Sequence, residues 1–334
     1  MIPQGKIFNG DEDMNRKNKK RAFITSIIML LISAIVLTSS TFAWFVMGDK
    51  ATIDEMDIKL YSSEGIQISA NATDPSWRQM LTLDNLFNTD EEVSDAALDA
   101  YAGNRNMLPE FLIPASSSFN SFGDYGYPNF YRANVEGDGT TTVTKVVEAY
   151  DAAEEAGIVA FDIFIKTTVA QTIDFSKTEV KEITAEGGES RDPLTAIRYA
   201  FVPMGNEAIG TAAATCQQLQ NASASKVTIA EADSNTRSAD SEYAGNAAGH
   251  KDTLPLNGAS ATEADMKNVI LNTDTAAPQG KVYWSDDETK TFDLDAGITK
   301  IRVYIWAEGN DIDCRDSIAS SELSVAFKFA VAEA

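Results

Sequence analysis

Leu323, Val325, Phe327, Phe329 and Val331 occupy every second position of the stretch SELSVAFKFAV, with Ser324, Ala326, Lys328 and Ala330 between them. Successive side chains of an extended chain point to opposite faces, so this spacing builds one apolar face and one mixed face. A helix would scatter the same residues around its circumference. ITKIRVYIW repeats the pattern, setting Ile301, Val303 and Ile305 opposite Arg302, Tyr304 and Trp306. IVAFDIFIKTT (158–168) and LTAIRYAFVP (194–203) are rich in β-branched and aromatic residues and read as two more strands. Shorter candidates are IDEMDIKLY, GIQIS, TVTKVVEAY, QTIDFS, TEVKEIT, SKVTIAE and GKVYWS. Helical signal is sparse, and DEEVSDAALDAY (90–101) is its main instance, starting on an Asp cap. Many short strands without alternating helices predict an all-β fold, a jelly-roll-like β-sandwich.

The 334 residues suffice for one large domain or two ordinary ones, with a substantial core. Two long insertions are expected within it. Residues 71–136 carry Trp77, Phe87, Phe111, Phe119, Phe122, Tyr125, Tyr127, Phe130 and Tyr131, a density of rings that implies packing. Residues 205–262 are rich in Ala, Ser, Thr and Asn, so little core is expected from them.

Ahead of the strands lies a segment of another kind. Residues 1–21 are polar and end in NRKNKKR, and no charged residue follows from Ala22 to Gly48. The apolar run AFITSIIMLLISAIVL has the length of a signal-peptide core. Thr41 and Ala43 in TSSTFAWF offer the small side chains that a signal peptidase seats in shallow pockets. Cleavage after Ala43 is the expectation, giving a signal peptide over 1–43 and an extracellular domain over 44–334 that begins at Trp44. The alternative is an uncleaved transmembrane helix, because the apolar run, counted through Val46, is long enough to span a bilayer. The basic cluster then keeps the first residues inside. Both readings place the strands outside the membrane.

The formal net charge is −23, which repels phosphate backbones and excludes a nucleic-acid partner. His250 is the only histidine, and there is no Cys-x-x-Cys pair, His-Glu-x-x-His or Gly-x-Ser-x-Gly, so zinc and serine-hydrolase chemistry lack their usual residues. Cys216 and Cys314 are the candidates for a single disulfide in an exported chain. Glu308, Asp311, Asp313 and Asp316 in EGNDIDCRD are closely spaced oxygens, the one candidate calcium set; no other cofactor is expected. EGDGTTT (136–142) reads as a hairpin turn. NAT (71–73) and NAS (221–223) have the spacing of glycosylation sequons.

A basic segment, a hydrophobic stretch and then STFAWF resemble the T-x-A-x-F ending of signal peptides handled by the SipW-type peptidase of Gram-positive bacteria. Thr41, Ala43 and Phe45 are the matching positions. The cargoes of that peptidase are the TasA/camelysin family of cell-surface and biofilm-matrix proteins. The ending with Trp306, Glu308, Gly309, Asp311, Asp313 and Cys314 also resembles secreted proteins of this type. The resemblance implies a non-enzymatic structural protein of the extracellular matrix, a fibre subunit whose partners are copies of itself. It further implies polymerisation by donation of an N-terminal strand. Here the donor candidate contains Trp44, Phe45, Ile53, Met56 and Ile58. The alternatives from the residues alone are a membrane-anchored adhesin or carbohydrate-binding module and, less directly, an extracellular hydrolase using a carboxylate pair.

Overall fold

The computed structural model describes residues 56–63, 65–88, 99–109, 112–117, 119, 122–135, 141–146, 157–183, 193–232, 281–283, 287–309, 314 and 322–333. All lie within the unit Trp44–Ala334. Their strands are β1 (Met56–Ser62), β2 (Ile66–Ser69), β3 (Met80–Thr82), β4 (Phe130–Val135), β5 (Thr141–Val146), β6 (Val159–Thr167) and β7 (Gln171–Asp174). There follow β8 (Glu179–Ile183), β9 (Ile197–Glu207), β10 (Thr228–Glu231), β11 (Lys281–Tyr283), β12 (Thr291–Leu294), β13 (Gly297–Ala307) and β14 (Glu322–Val331). Two five-residue helices, α1 (Leu83–Phe87) and α2 (Ala213–Gln217), are the α-helices among the described residues. The β-rich expectation is met, and each strand anticipated from alternation has a counterpart.

Two sheets carry the fold. Sheet I has the order β12-β7-β14-β1-β3, with β8 also paired to β14. Sheet II has the order β11-β10-β9-β13-β6-β2. A separate antiparallel hairpin joins β4 to β5, with Val135 opposite Thr141. The turn expected in EGDGTTT therefore falls between two paired strands, although residues 136–140 lie outside the described set. Most pairings are antiparallel, but β1–β14 and β10–β11 are parallel.

The inward faces of both sheets share one apolar core. Ile58, Leu60, Ile173, Phe292, Val325, Phe327 and Phe329 of sheet I meet Ile68, Phe161, Ile163, Tyr199, Phe201, Ile301 and Val303 of sheet II. Each fully buried large apolar side chain contributes roughly 1.5–3 kcal/mol. Along β14 the expected alternation holds through Phe329. Val331 departs from it at the strand's end, with 38% of its surface exposed.

β13 differs from the simple amphipathic reading, because all eleven of its residues are buried. Ile301, Val303 and Ile305 face sheet I, while Tyr304 and Trp306 join a second cluster with Phe119, Phe130, Ala160, Val202 and Ile229. The second cluster exists because residues from the aromatic-rich insertion cover the outer face of sheet II. Phe119 packs edge-on to Phe130 at 5.6 Å and to Tyr304 at 5.9 Å. The described rings of that insertion thus pack as expected, with Tyr125, 44% exposed, as the exception; Phe111 lies outside the described residues.

The 205–262 reading needs correction where it is described. Gly205 to Glu207 complete β9, and the strand anticipated in SKVTIAE forms as Thr228–Glu231 inside sheet II. Cys216, Val227 and Ile229 are buried, so small-residue composition hid a real contribution to the core. Residues 233–262, including His250, lie outside the described set, as do most of the expected helix over 90–101 and the whole of residues 1–55.

Gly297 opens β13 at φ +135°, and a Cβ there would sit 2.3 Å from the Glu207 carbonyl oxygen. Only glycine tolerates both the backbone and the contact. Gly297→Ala is expected to lower stability by about 1–3 kcal/mol from backbone strain alone, measured as a reduced urea midpoint.

Candidate functional site

Antiparallel pairing sets Asp162 of β6 directly opposite Arg302 of β13, on the outer face of sheet II. Lys300, two residues earlier, shares that face. Alternation in a half-exposed strand would leave these charges in water, but the covering layer encloses them. Side-chain exposure is 1% for Asp162, 3% for Lys300 and 0% for Arg302. Arg302 Nη1 lies 3.1 Å from Asp162 Oδ1, and Lys300 Nζ lies 3.3 Å from Asp162 Oδ2.

The layer above completes the cluster. Tyr101 donates its hydroxyl to Asp162 Oδ2 at 2.6 Å. Arg302 Nη2 donates to the Arg105 carbonyl at 2.5 Å, and Lys300 Nζ donates to the Gln217 carbonyl of α2 at 2.7 Å. The Asp162 amide donates to Asn106 Oδ1 at 2.9 Å. The Arg302 guanidinium stands 4.2 Å from the centre of the Tyr127 ring, a cation–π contact in a desolvated setting. The Arg105 guanidinium covers Tyr125 at 3.4 Å. Residues far apart in the chain thus meet over one carboxylate.

Burial by itself would raise the pKa of Asp162. Arg302, Lys300 and the Tyr101 hydroxyl together outweigh it and hold the carboxyl below the usual range. One carboxylate serves two cations, so Lys300 is incompletely compensated, and burial pushes its ammonium below the ordinary lysine range. Burial, followed by the charge of Asp162, pushes the Tyr101 phenol up. The arrangement clamps the covering layer to sheet II in one register. Such a role suits a buried, hydrogen-bonded charge group.

The residues singled out from sequence take other places. Met56 and Ile58 belong to β1, which pairs in parallel with β14 from Met56 opposite Leu323 to Ser62 opposite Phe329. They are 9% and 0% exposed, in the core of their own chain. Thr41, Ala43, Trp44, Phe45 and Ile53 lie outside the described residues. The candidate disulfide is not formed. Cys216 is a thiol packed with Phe164 and Ile298 on the outer face of sheet II, and Cys314 is a thiol within the inter-sheet core. The two sit in different clusters, so a bond between them would need one to leave its layer.

Of the calcium set, Asp311, Asp313 and Asp316 lie outside the described residues. Glu308 is 1% exposed and turned inward, hydrogen-bonded by the Ser116 hydroxyl and by Trp306 Nε1 at 3.1 Å. Its oxygens thus tie the end of β13 to the covering layer. Among the described residues, no group of three or more acidic, His or Cys side chains is placed to hold a metal ion. Nor is any described helix long and apolar enough to cross a membrane. The sequon at Asn71 is built inward: the residue is 4% exposed and its amide donates to the Asp99 carbonyl at 2.8 Å.

Sequence reasoning missed Asp162, Lys300 and Arg302. Each alternates correctly with apolar neighbours, which is the pattern of a solvated face. The rings of the 71–136 insertion were the available sign that something covers that face. Comparison with protein-family models, with curated proteins and with solved structures finds no match to this chain.

Proposed function

We propose that this chain is an exported, non-enzymatic structural protein of the cell surface or extracellular matrix, a TasA/camelysin-like subunit that assembles by N-terminal strand donation. The place of β1 carries the reading. This first described strand lies inside sheet I, held by the last strand, β14, on one side and by three residues of β3 on the other. A neighbour's β1 entering the same slot would restore every main-chain pair and seat Met56 and Ile58 in the same core. Repeated head-to-tail, that exchange does not close on itself and yields a filament. Trp44, Phe45 and Ile53 lie just ahead of β1 and would extend the donated segment. The acidic surface favours solubility before assembly.

A jelly-roll-like wiring is part of the proposal. It is supported by the steps from β6 to β7, β12 to β13 and β13 to β14, each of which crosses from one sheet to the other. Export through the N-terminal segment, with cleavage after Ala43, completes it.

Deleting Trp44 to Asp49 from the mature protein is expected to abolish filaments in negative-stain micrographs while leaving a folded monomer. Normal filaments from the deleted protein would sink the strand-donation reading. Mass spectrometry of the surface fraction is expected to find Trp44 as the mature N-terminus. Full-length protein confined to membranes would instead support a membrane-anchored adhesin. The half-exposed Tyr125, stacked under Arg105, is the observation that favours that second reading.

A further inference from the structure

Where β7 and β12 of sheet I part from β10 and β11 of sheet II, a cleft of about 500 Å³ opens. That volume lies within the range of small-ligand sites. Phe292, Leu294 and Val227 give it an apolar floor. Its charged groups cancel in pairs. Lys281 Nζ is 3.1 Å from Asp293 Oδ2, and Lys226 Nζ is 3.7 Å from Asp295 Oδ2. The Thr172 hydroxyl donates to Asp293 Oδ1 at 2.8 Å, and this bond, followed by Lys281, holds the Asp293 carboxyl below its usual range.

Thr228 gives the cleft its direction. It is 2% exposed and lines the cleft, yet among the described residues its hydroxyl has no hydrogen-bond partner. The hydroxyl opens on the cleft and keeps its capacity to donate and accept for whatever fills the space.

We propose that this cleft binds a neutral, polyhydroxylated ligand, a carbohydrate segment one or two sugars long. Sugar hydroxyls both donate and accept, which matches ammonium donors, carboxylate acceptors and the Thr228 hydroxyl set side by side. The floor suits the C–H face of a pyranose ring. A strongly charged ligand gains nothing from walls whose charges cancel. An extended peptide is less well served. Alternate residues of β12 turn their main-chain groups away from β7, and of these the Thr291 carbonyl already accepts the Tyr283 hydroxyl at 2.9 Å. Among the described residues, Asp293 alone is left with both its N–H and C=O open, too little for a strand ladder. The site is independent of strand donation, so loss of filaments leaves it unaffected.

Saturation-transfer NMR on the full chain in a sugar-free detergent tests this, with cellobiose, chitobiose, lactose and maltose as probes and a Ser/Thr-rich decapeptide as comparison. Transfer to at least one disaccharide is expected. Thr228→Val and Asp293→Ala are each expected to weaken that binding about tenfold, the worth of one well-made hydrogen bond. The thermal midpoint should stay unchanged for Thr228→Val, which is isosteric, and fall only slightly for Asp293→Ala, which gives up exposed contacts to Thr172 and Lys281. No transfer to any of the four sugars overturns the proposal. So does transfer that survives both substitutions, or transfer to the peptide alone.

Discussion

Replacing Asp162 with alanine is expected to lower folding stability by about 3–5 kcal/mol, the cost of leaving buried cations without their counter-ion. The substitution strands Lys300 and Arg302, which are 3% and 0% exposed, beneath the covering layer. Equilibrium urea unfolding reads the loss directly. A loss under about 1 kcal/mol would show that water reaches the cluster, as at exposed ion pairs. The double variant Asp162→Leu/Arg302→Met should recover much of the stability, because removing both charges spares their desolvation. The same carboxylate makes stability depend on pH. Its folded pKa is depressed, so its contribution is fully present above the ordinary aspartate value of 3.8 and is lost as pH falls below that value through the folded pKa. Asp162→Ala should therefore flatten the acid limb of the stability profile below about pH 4.

Phe201→Ala is expected to cost about 3–5 kcal/mol through the lost transfer energy and the cavity left behind. The ring is a hub between sheets. From β9 of sheet II it contacts Phe292 of β12 at 5.3 Å, and Phe327 and Phe329 of β14 at 5.4 and 5.5 Å. Phe175, just beyond β7, lies 5.1 Å away at an interplanar angle of 74°. Each such pair adds about 0.5–1.5 kcal/mol beyond area burial, so the cost falls toward the upper end. Domains of this kind are stable by only about 5–15 kcal/mol in total. Phe201→Leu, which keeps most of the volume, should lose less than half as much. Equal losses for the two variants would mean that the ring contacts contribute little.

Much of the fold was legible because strand alternation is a local property. SELSVAFKFAV assigns Leu323, Val325 and Phe327 to one face whatever lies opposite, and the structure buries those three side chains. β3, β4 and β12 were not anticipated: β3 and β12 are short, and β4 lies inside the ring-rich insertion, where aromatics read as packing rather than as a strand. SKVTIAE marked β10, but the small-residue tract before it concealed the burial of Cys216, because composition averages over residues that the fold places separately.

The charged clamp was not legible. Asp162, Lys300 and Arg302 satisfy the rule for a solvated face, and only the packing of Tyr101, Arg105, Asn106, Tyr127 and α2 over that face turns them into a buried group. The cleft beside Thr228 likewise depends on where two sheet edges separate. By itself the sequence determined most of the strands, their inward faces, the acidic charge and the apolar N-terminal run, each written in neighbouring residues. Tertiary structure alone decided the partner of β1, the burial of the charges over β13 and the separation of Cys216 from Cys314. Those outcomes depend on pairing between residues far apart in the chain, which local alternation does not encode.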